Sequence, residues 1–210
     1  MNSRIVIVLA AMVLSAVGQP TVLAQDGPGL IVLDVPYLSQ LSVGDKDNTK
    51  NCGQTCGLMV GGYFNRYQPQ PTHIGNVNTW LSKRFNDPRY LNVNGYYTGF
   101  DGRNELGAML SELHHVQYSV LYGGKKSSIM YQLNLGRPVI VGVTISSGSI
   151  STSGLAHWSL VVGYDLAKKE FIMHEPGSSR SDAFRRRVKF TNFEASWKTQ
   201  SNIYVPTWIN

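Results

Sequence analysis

The chain has 210 residues, a hydrophobic fraction of 42% and a formal charge of +6. That apolar content supports a packed core and argues against global disorder, and the length fits one domain. Two cysteines are too few for a four-cysteine zinc site or for a small fold held by several disulfides. The sequence shows no internal repeat with a period of about 20–50 residues, which excludes a solenoid or a propeller.

The N-terminal segment predicts a secretory signal peptide. Arg4 precedes the apolar run Ile5–Val17, which is shorter than the about 20 apolar residues that span a bilayer. Small residues at the end of the segment predict cleavage after Ala24, so residues 1–24 form the signal peptide and residues 25–210 a single domain. An uncleaved membrane anchor is the alternative. We expect an exported protein, periplasmic or secreted, whose mature chain does not span the membrane.

Basic residues cluster late in the chain, without the interleaved aromatic residues or the basic motif of a nucleic-acid-binding protein. We therefore expect a solvated face and no nucleic-acid partner, with attraction to anionic polymers of the cell envelope as the alternative. The cluster consists of Lys168, Lys169, Arg180, Arg185, Arg186, Arg187 and Lys189.

The first half of the chain predicts helices after an extended segment at residues 30–38. The helices are expected over Cys52–Asn65, 73–85 and 103–114, with Asn51 and Thr72 as N-caps of the first two.

The second half predicts mostly strands. They are expected at residues 116–122, 139–145, 157–164, 170–174 and 202–205, with short helices at 127–135 and 192–197. Because helices come first and adjacent strands follow, the order predicts an α+β fold with an antiparallel sheet, not alternating βαβ units.

Cys52 is the candidate nucleophile. It follows the predicted N-cap Asn51, so it lies in the first turn of a helix, where unpaired amides and the helix dipole lower the pKa of a thiol. Gly53 leaves the backbone beside it open to a substrate.

A thiolate nucleophile needs a base, and the base needs an orienting acceptor. His157 begins a predicted buried strand, and a hairpin turn centred near Leu166–Ala167 places Glu175 or the next residue opposite it. Glu175 is therefore predicted to orient His157. The side-chain amide of Gln40, before the polar loop, is predicted to face the oxyanion that forms when Cys52 attacks a carbonyl.

Five segments resemble, in sequence and order, the bacteriocin-processing (double-glycine leader) peptidase-like family of papain-fold cysteine peptidases. They are Val-Pro-Tyr-Leu-Ser-Gln40, Asn-Cys52-Gly-Gln-Thr-Cys-Gly-Leu-Met-Val, Gly-Arg-Pro-Val-Ile-Val, Ala-His157-Trp-Ser-Leu-Val-Val-Gly-Tyr-Asp and His-Glu175-Pro-Gly. The resemblance covers residues 31–205 and implies a papain-like fold with N-terminal helices packed on an antiparallel sheet. It implies Cys52 as nucleophile, His157 as base, Glu175 as orienting acid and Gln40 as oxyanion donor.

The chain departs from the family pattern at three places. The family usually has Asp-Pro where this chain has Glu175-Pro176, and often has Pro where this chain has Gln54. The interval from Gln40 to Cys52 is longer than usual. No ATP-binding or transmembrane region accompanies the peptidase segment, so the leader-cleaving role of the family's transporter members does not carry over.

The leading hypothesis is an exported cysteine peptidase that cleaves a peptide or isopeptide amide through an acyl-enzyme, with a peptide or protein as its partner. Nothing indicates an organic cofactor, and His114 and His115 lack a third metal ligand with matching spacing. One alternative is a catalytically silent peptide-binding module, with Cys52 and Cys56 joined in a disulfide. Another is an amidase or acyl transferase that uses the same three residues.

Overall fold

The structure, a computed structural model, describes residues 22–23, 29–45, 49–95 and 104–210. Its helices are α1 (Cys52–Asn65), α2 (Pro71–Phe85), α3 (Glu105–Ala108, continued by a π-helical turn at Met109–Leu113), α4 (Lys126–Asn134) and α5 (Phe190–Lys198). Short 3-10 turns lie at Gln40–Ser42 and Pro88–Leu91. The strands are β1 (Val22–Leu23), β2 (Leu30–Leu33), β3 (Gln117–Tyr118), β4 (Val139–Ser146), β5 (Ser149–Ile150), β6 (Leu155–Asp165), β7 (Glu170–His174), β8 (Arg186–Lys189) and β9 (Tyr204–Trp208).

The long strand β6 organises an antiparallel sheet. One edge of β6 pairs with β4 through residues 155–161 and with β2 through residues 163–165. Its other edge pairs with β7 through residues 160–165, and β8 continues the sheet beyond β7. Every pairing among the described strands is antiparallel, so the predicted α+β class with an antiparallel sheet is confirmed.

Helix α1 is buried almost along its whole length and packs against β6. Glycines permit the close approach of its neighbours, because a Cβ at Gly57 would lie 2.8 Å from the Met109 side chain and one at Gly61 would lie 2.6 Å from the His114 imidazole. A helix with apolar or small residues on all its faces is typically buried in the centre of a domain. This position fixes Cys52, its first residue, against the sheet.

Helix α5 packs against β4, and its buried aromatic residues belong to the same hydrophobic core as those of α1. An aromatic cluster joins this helix to the sheet, with Phe171 and Phe193 ring centroids 4.7 Å apart and Phe193 and Trp197 centroids 5.2 Å apart. Such aromatic contacts add to the stabilisation from burial alone. The sheet is thus covered by helices whose apolar residues were visible in the sequence pattern.

The predicted elements occur in the predicted order, with differences at their ends. The bounds of α1 and of the 170–174 strand agree with the prediction. The strand expected over 116–122 is only two residues long, followed by an isolated bridge between Leu121 and Tyr204. The start of the third helix, predicted at residue 103, lies outside the described residues.

Of the two predicted N-cap residues, Asn51 occupies the predicted position and Thr72 does not. Helix α2 begins at Pro71, with Gln70 rather than Thr72 as its N-cap. Gln70 and His73 form a capping box. Proline suits the first helical position, because the N–H that it lacks would have no partner within the helix. Asn51 does precede α1, but its side chain makes no capping hydrogen bond. Its contacts lie in the site described below.

The basic cluster is not an unpaired cationic face. Five of its members pair with carboxylates: Arg180 and Arg186 with Asp182, Arg185 with Asp34, Arg187 with Asp165 and Glu170, and Lys189 with Glu170. Arg186 is only 7% exposed, so the expectation of a solvated face is wrong at this residue. Strand β8 alternates between buried and exposed residues, but one of its buried positions is Arg186. Because an arginine at that position breaks the alternation of apolar and polar residues, this strand was not predicted.

None of the described helices combines the length and the apolar character that crossing a bilayer requires. Strand β1 lies before the predicted cleavage site at Ala24 and pairs with Val32 and Leu33 of β2.

Candidate active site

Cys52 is the first residue of α1 and is half-buried. The side chain of Asn51, which precedes it, is turned away from the helix amides. It donates to the Thr49 hydroxyl (2.9 Å) and the Val93 carbonyl (3.0 Å), and its oxygen accepts from Asn78 (3.0 Å). The first-turn amides of α1 therefore have no side-chain cap and are oriented to stabilise an anion.

A buried amide network holds this first turn in place. Gln54 donates to Asn78 (3.0 Å), which in turn donates to Asn51, and all three residues are at most 2% exposed. Sequence reasoning missed Asn78, although it interrupts the buried apolar stripe of α2 between Ile74 and Leu81. A polar residue at an apolar position was the available signal, because such a group is buried only with hydrogen-bond partners.

His157, on β6, connects the thiol to the carboxylate. Its Nε2 donates to Glu175 Oε1 at 2.5 Å, which leaves Nδ1 for the sulfur of Cys52, to which the imidazole is hydrogen-bonded. His157 is 7% exposed and Glu175 only 1% exposed. The structure thus brings together three of the four predicted site residues, Cys52, His157 and Glu175, in the order nucleophile, base and orienting acid.

The carboxylate of Glu175 accepts three hydrogen bonds. Oε1 accepts from His157 and from the Gly177 backbone N–H at 3.0 Å, while Oε2 accepts from the Ser159 hydroxyl at 2.6 Å. A buried carboxylate with donors on both oxygens is satisfied as an anion. Neither Ser159 nor Gly177 was predicted from the sequence.

The predicted strand register is wrong by about two residues. Leu160 of β6 lies opposite His174 of β7, and one further step places Glu175 opposite Ser159 rather than opposite His157. His157 is then the diagonal neighbour of Glu175, and such residues are separated by about 7–8 Å, with their Cβ atoms somewhat closer. The extra methylene of glutamate lets the carboxylate span this diagonal.

Two local features set the observed register. The hairpin closes at the pair Asp165 and Glu170, so its centre lies later than the predicted Leu166–Ala167 and shifts every pair. A β-bulge between Val161 and Gly163 then moves the remaining pairs back by one residue and offsets part of that shift.

The charges of the three residues stabilise one another. Burial by itself raises the pKa of a thiol, but the charge and hydrogen bond of His157 and the backbone of Trp158 hold the pKa of Cys52 below its ordinary value. Burial also disfavours an imidazolium, yet the charges of Glu175 and Cys52 raise the pKa of His157 to about 10. Despite burial, the same imidazole and the hydroxyl of Ser159 lower the pKa of Glu175. The site therefore favours a thiolate, an imidazolium and a carboxylate at neutral pH.

Gln40, the fourth predicted residue, is buried next to the loop that leads into α1. Its side-chain Nε2 donates to the Thr49 carbonyl at 3.0 Å, and its backbone N–H donates to the Pro176 carbonyl at 3.1 Å. An amide nitrogen carries two hydrogens, so the contact with Thr49 leaves one for a substrate oxygen. The oxyanion role of Gln40 stays a prediction.

The other thiol and the neighbouring histidine lie outside this arrangement. Cys52 and Cys56 are both free, and Cys56 is fully buried, with its sulfur 3.5 Å from the Trp158 carbonyl. Burial and the nearby charge of Cys52 raise the pKa of Cys56 well above its ordinary value, so this thiol is inert. His174 donates through Nε2 to the Val35 carbonyl and lies outside this arrangement.

A surface cavity of about 360 Å³ lies towards the opposite end of α1 and contains none of the predicted site residues. It is lined by Asp34, Pro36, Gly62, Tyr63, Arg66, Tyr67 and Gln68. Among residues 22–23, 29–45, 49–95 and 104–210, no three His, Cys, Asp or Glu side chains are grouped to hold a metal ion.

Solved structures define the class of this fold. The putative C39-like peptidase from Bacillus anthracis matches with a TM-score of 0.57 and 14% identity, over 88% of this chain and 98% of that one. The peptidase domain of Streptococcus ComA, a bi-functional ABC transporter involved in quorum sensing, matches with a TM-score of 0.53 and 14% identity, over 87% of this chain and 98% of that domain. The fold is therefore the papain-like fold of C39 peptidase domains.

The family follows from the sequence model of the Peptidase_C39 like family, which matches residues 32–205. The chain belongs to this family of cysteine peptidases, and the resemblance noted in the sequence is confirmed. No protein of curated function matches the chain.

Gly177 leaves no room for a side chain beside the imidazole, because a Cβ there would lie 2.7 Å from His157 Cε1 and 3.2 Å from Nε2. We expect Gly177→Ala to displace His157 and to slow alkylation of Cys52 by iodoacetamide at pH 5 by about 100-fold, as misplacement of a reacting group by about 1 Å does. Gly75→Ala, on an open face of α2 where a Cβ meets nothing within 4 Å, is the control and should alkylate like the wild type. Equal rates in all three proteins would contradict this prediction.

Proposed function

We propose that this protein is an exported cysteine peptidase that cleaves a peptide or isopeptide amide through Cys52, His157 and Glu175. The observation that carries the proposal is the continuous hydrogen-bonded arrangement of a thiol at a helix N-terminus, a buried imidazole and a buried carboxylate. Both thiols are free, which supports a nucleophilic Cys52 over a disulfide-bonded module. Family membership supports the same reaction class.

In the proposed first half-reaction, the Cys52 sulfur attacks the carbonyl carbon of the amide. The negative charge that develops on the carbonyl oxygen is held by the Cys52 backbone N–H and by the second Nε2 hydrogen of Gln40. His157 then passes its Nδ1 proton to the leaving nitrogen, the C–N bond breaks, and the amine departs. Cys52 is left as a thioester, and Glu175 keeps the neutral imidazole oriented through Nε2.

The second half-reaction reverses the proton movement. The Nδ1 atom of His157 removes a proton from a water molecule whose oxygen attacks the thioester carbon. The C–S bond breaks, the new carboxylic acid leaves, and Cys52 and His157 return to the thiolate and imidazolium. If an amine attacks in place of water, the same site performs acyl transfer.

The test is hydrolysis of a mixed peptide library, followed by mass spectrometry. We expect Cys52→Ala to lose at least about 1000-fold of the wild-type cleavage rate, as nucleophile removal does elsewhere. Cys56→Ala, which removes the inert thiol on the same helix, is the matched control and should retain cleavage. Full activity of Cys52→Ala, or no cleavage by the wild type together with equal peptide binding by both, would overturn the proposal in favour of another nucleophile or a silent binding module.

Added hydroxylamine separates hydrolysis from transfer. Carboxylic acid products in its presence support a peptidase, whereas exclusive hydroxamate products assign the site to acyl transfer.

Export and cleavage after Ala24 are also proposed, on the strength of the N-terminal sequence pattern. This cleavage would remove β1 and leave β2 as the outer strand on that side of β6. N-terminal sequencing of the exported protein is expected to begin at Gln25. A mature chain that retains Val22 and Leu23 would contradict the proposed cleavage position.

A further inference from the structure

Ser159 is placed to control the catalytic acid. It lies two residues after His157 on β6, so both side chains project from the same face of the strand. The side chain of Ser159 is fully buried, and its hydroxyl donates to Glu175 Oε2 at 2.6 Å. A hydroxyl that donates to a buried carboxylate at this distance makes a strong, charge-assisted hydrogen bond.

A glutamate in this position has a freedom that a shorter acid lacks. Its carboxylate sits at the end of an additional rotatable bond and reaches His157 along the diagonal of the strand pair. The Gly177 N–H and His157 both bind Oε1. These two contacts alone leave the carboxylate free to rotate about that oxygen. The Ser159 hydroxyl is the donor that binds the other oxygen and thereby sets the plane of the carboxylate.

We infer that Ser159 is a positioning residue, whose hydroxyl holds Glu175 with Oε1 directed at His157 Nε2 and so permits glutamate to serve as the orienting acid. The inference rests on the proposed function and deepens it, because it assigns the support of the acid to a residue outside the three that react. The hydroxyl of Ser159 donates to Glu175, so Ser159 acts through that residue.

The test is the pH profile of Cys52 alkylation by iodoacetamide, followed by site-resolved mass spectrometry of the intact protein. The acid limb of this profile is the pH range over which the alkylation rate rises as Cys52 loses its proton. We expect Ser159→Ala to move the acid limb upward by about one pH unit, which is about a tenfold lower rate at pH 5. The reason is that a loosely held carboxylate stabilises the imidazolium less. Ser196→Ala is the control. Ser196 lies in α5 and is also fully buried, but its hydroxyl forms hydrogen bonds with the backbone of Thr144 on β4. Its acid limb should match that of the wild type.

A second background separates positioning from packing. In Glu175→Gln there is no carboxylate to hold, so adding Ser159→Ala should change the profile by less than about twofold. An equal shift in both backgrounds would assign the effect to packing and overturn the inference. If Ser159→Ala does not fold, Ser159→Cys, which keeps the size but donates weakly, should show a smaller shift in the same direction.

The outcomes also distinguish this inference from the proposed function. An unchanged acid limb in a protein whose Cys52 alkylates rapidly at pH 5 overturns the role of Ser159 alone. A wild type whose Cys52 behaves as an ordinary thiol overturns the proposed function and the inference with it.

Discussion

Cys52 should be alkylated by iodoacetamide at pH 5 about 100-fold faster in the wild type than in His157→Ala. An ordinary thiol with a pKa near 8.5 is ionised to about one part in 3000 at this pH. The imidazolium of His157 lowers the pKa of Cys52, so a much larger fraction is thiolate. A thiolate of lower pKa is also a weaker nucleophile. The alkylation rate therefore increases by a smaller factor than the ionised fraction of Cys52 does.

The sign of the pH dependence follows from the two pKa values. The reactive thiolate forms as pH rises through the lowered pKa of Cys52, which sets the acid limb of hydrolysis. Hydrolysis also needs the imidazolium proton for the leaving amine, and the pKa of His157 is raised to about 10. We therefore expect hydrolysis to fall only as pH rises through about 10, and alkylation, which needs no proton, to persist there.

The control for this experiment is His174→Ala, which removes another buried histidine that lies outside the site. Its low-pH alkylation rate should match that of the wild type wherever the protein remains folded, which circular dichroism monitors. Alkylation of Cys52 at pH 5 that is independent of His157 would contradict a thiolate–imidazolium pair.

Glu175→Asp should lower hydrolysis by at least about tenfold, although aspartate is the residue that the family usually has at this position. The shorter side chain lacks the methylene with which Glu175 spans the diagonal between Ser159 and His157. Aspartate cannot keep both the 2.5 Å contact with His157 and the 2.6 Å contact with Ser159 without movement of the backbone. A misoriented imidazole impairs both proton transfers.

Glu175→Gln separates geometry from charge. The amide keeps the length of glutamate but cannot stabilise an imidazolium, so we expect a loss of hydrolysis of about 100-fold or more and an upward shift of the acid limb. Glu170→Gln is the matched control, because Glu170 begins β7, the strand that ends just before Glu175, and is paired with Lys189 and Arg187 near the surface. This variant should leave both measurements unchanged. An aspartate variant as active as the wild type would show that the diagonal geometry does not select glutamate.

The candidate catalytic residues were recognisable in the sequence because their signals are local. The helix that begins at Cys52 follows from apolar spacing and a polar residue before it, and the strand that begins near His157 follows from a run of β-branched and apolar residues. Residue order along the chain also predicted an antiparallel α+β fold. The predicted hairpin added Glu175 as a contact of His157, and the family motifs imply the same role for Glu175 and an oxyanion role for Gln40.

The contacts of the supporting residues were not recognisable, because their partners are distant in the chain. Asn78 stabilises the turn before Cys52 from a different helix, across 27 positions. The amide of Gln40 was expected to face only an oxyanion, yet one of its hydrogens is bound to the Thr49 carbonyl. Each of these contacts depends on how separate elements pack together.

The sequence by itself determined which residues are candidates for the chemistry and which elements present them, since periodicity and chain order depend on neighbours a few positions apart. Only the tertiary structure decided how the acid is held. The later hairpin centre moved the register, the bulge after Val161 moved it back by one residue, and Ser159 rather than His157 came to lie opposite Glu175. The side chains of a strand alternate between its two faces, so the offset of a single bulge or turn changes every cross-strand partner beyond it, and nothing in the local pattern reports that offset.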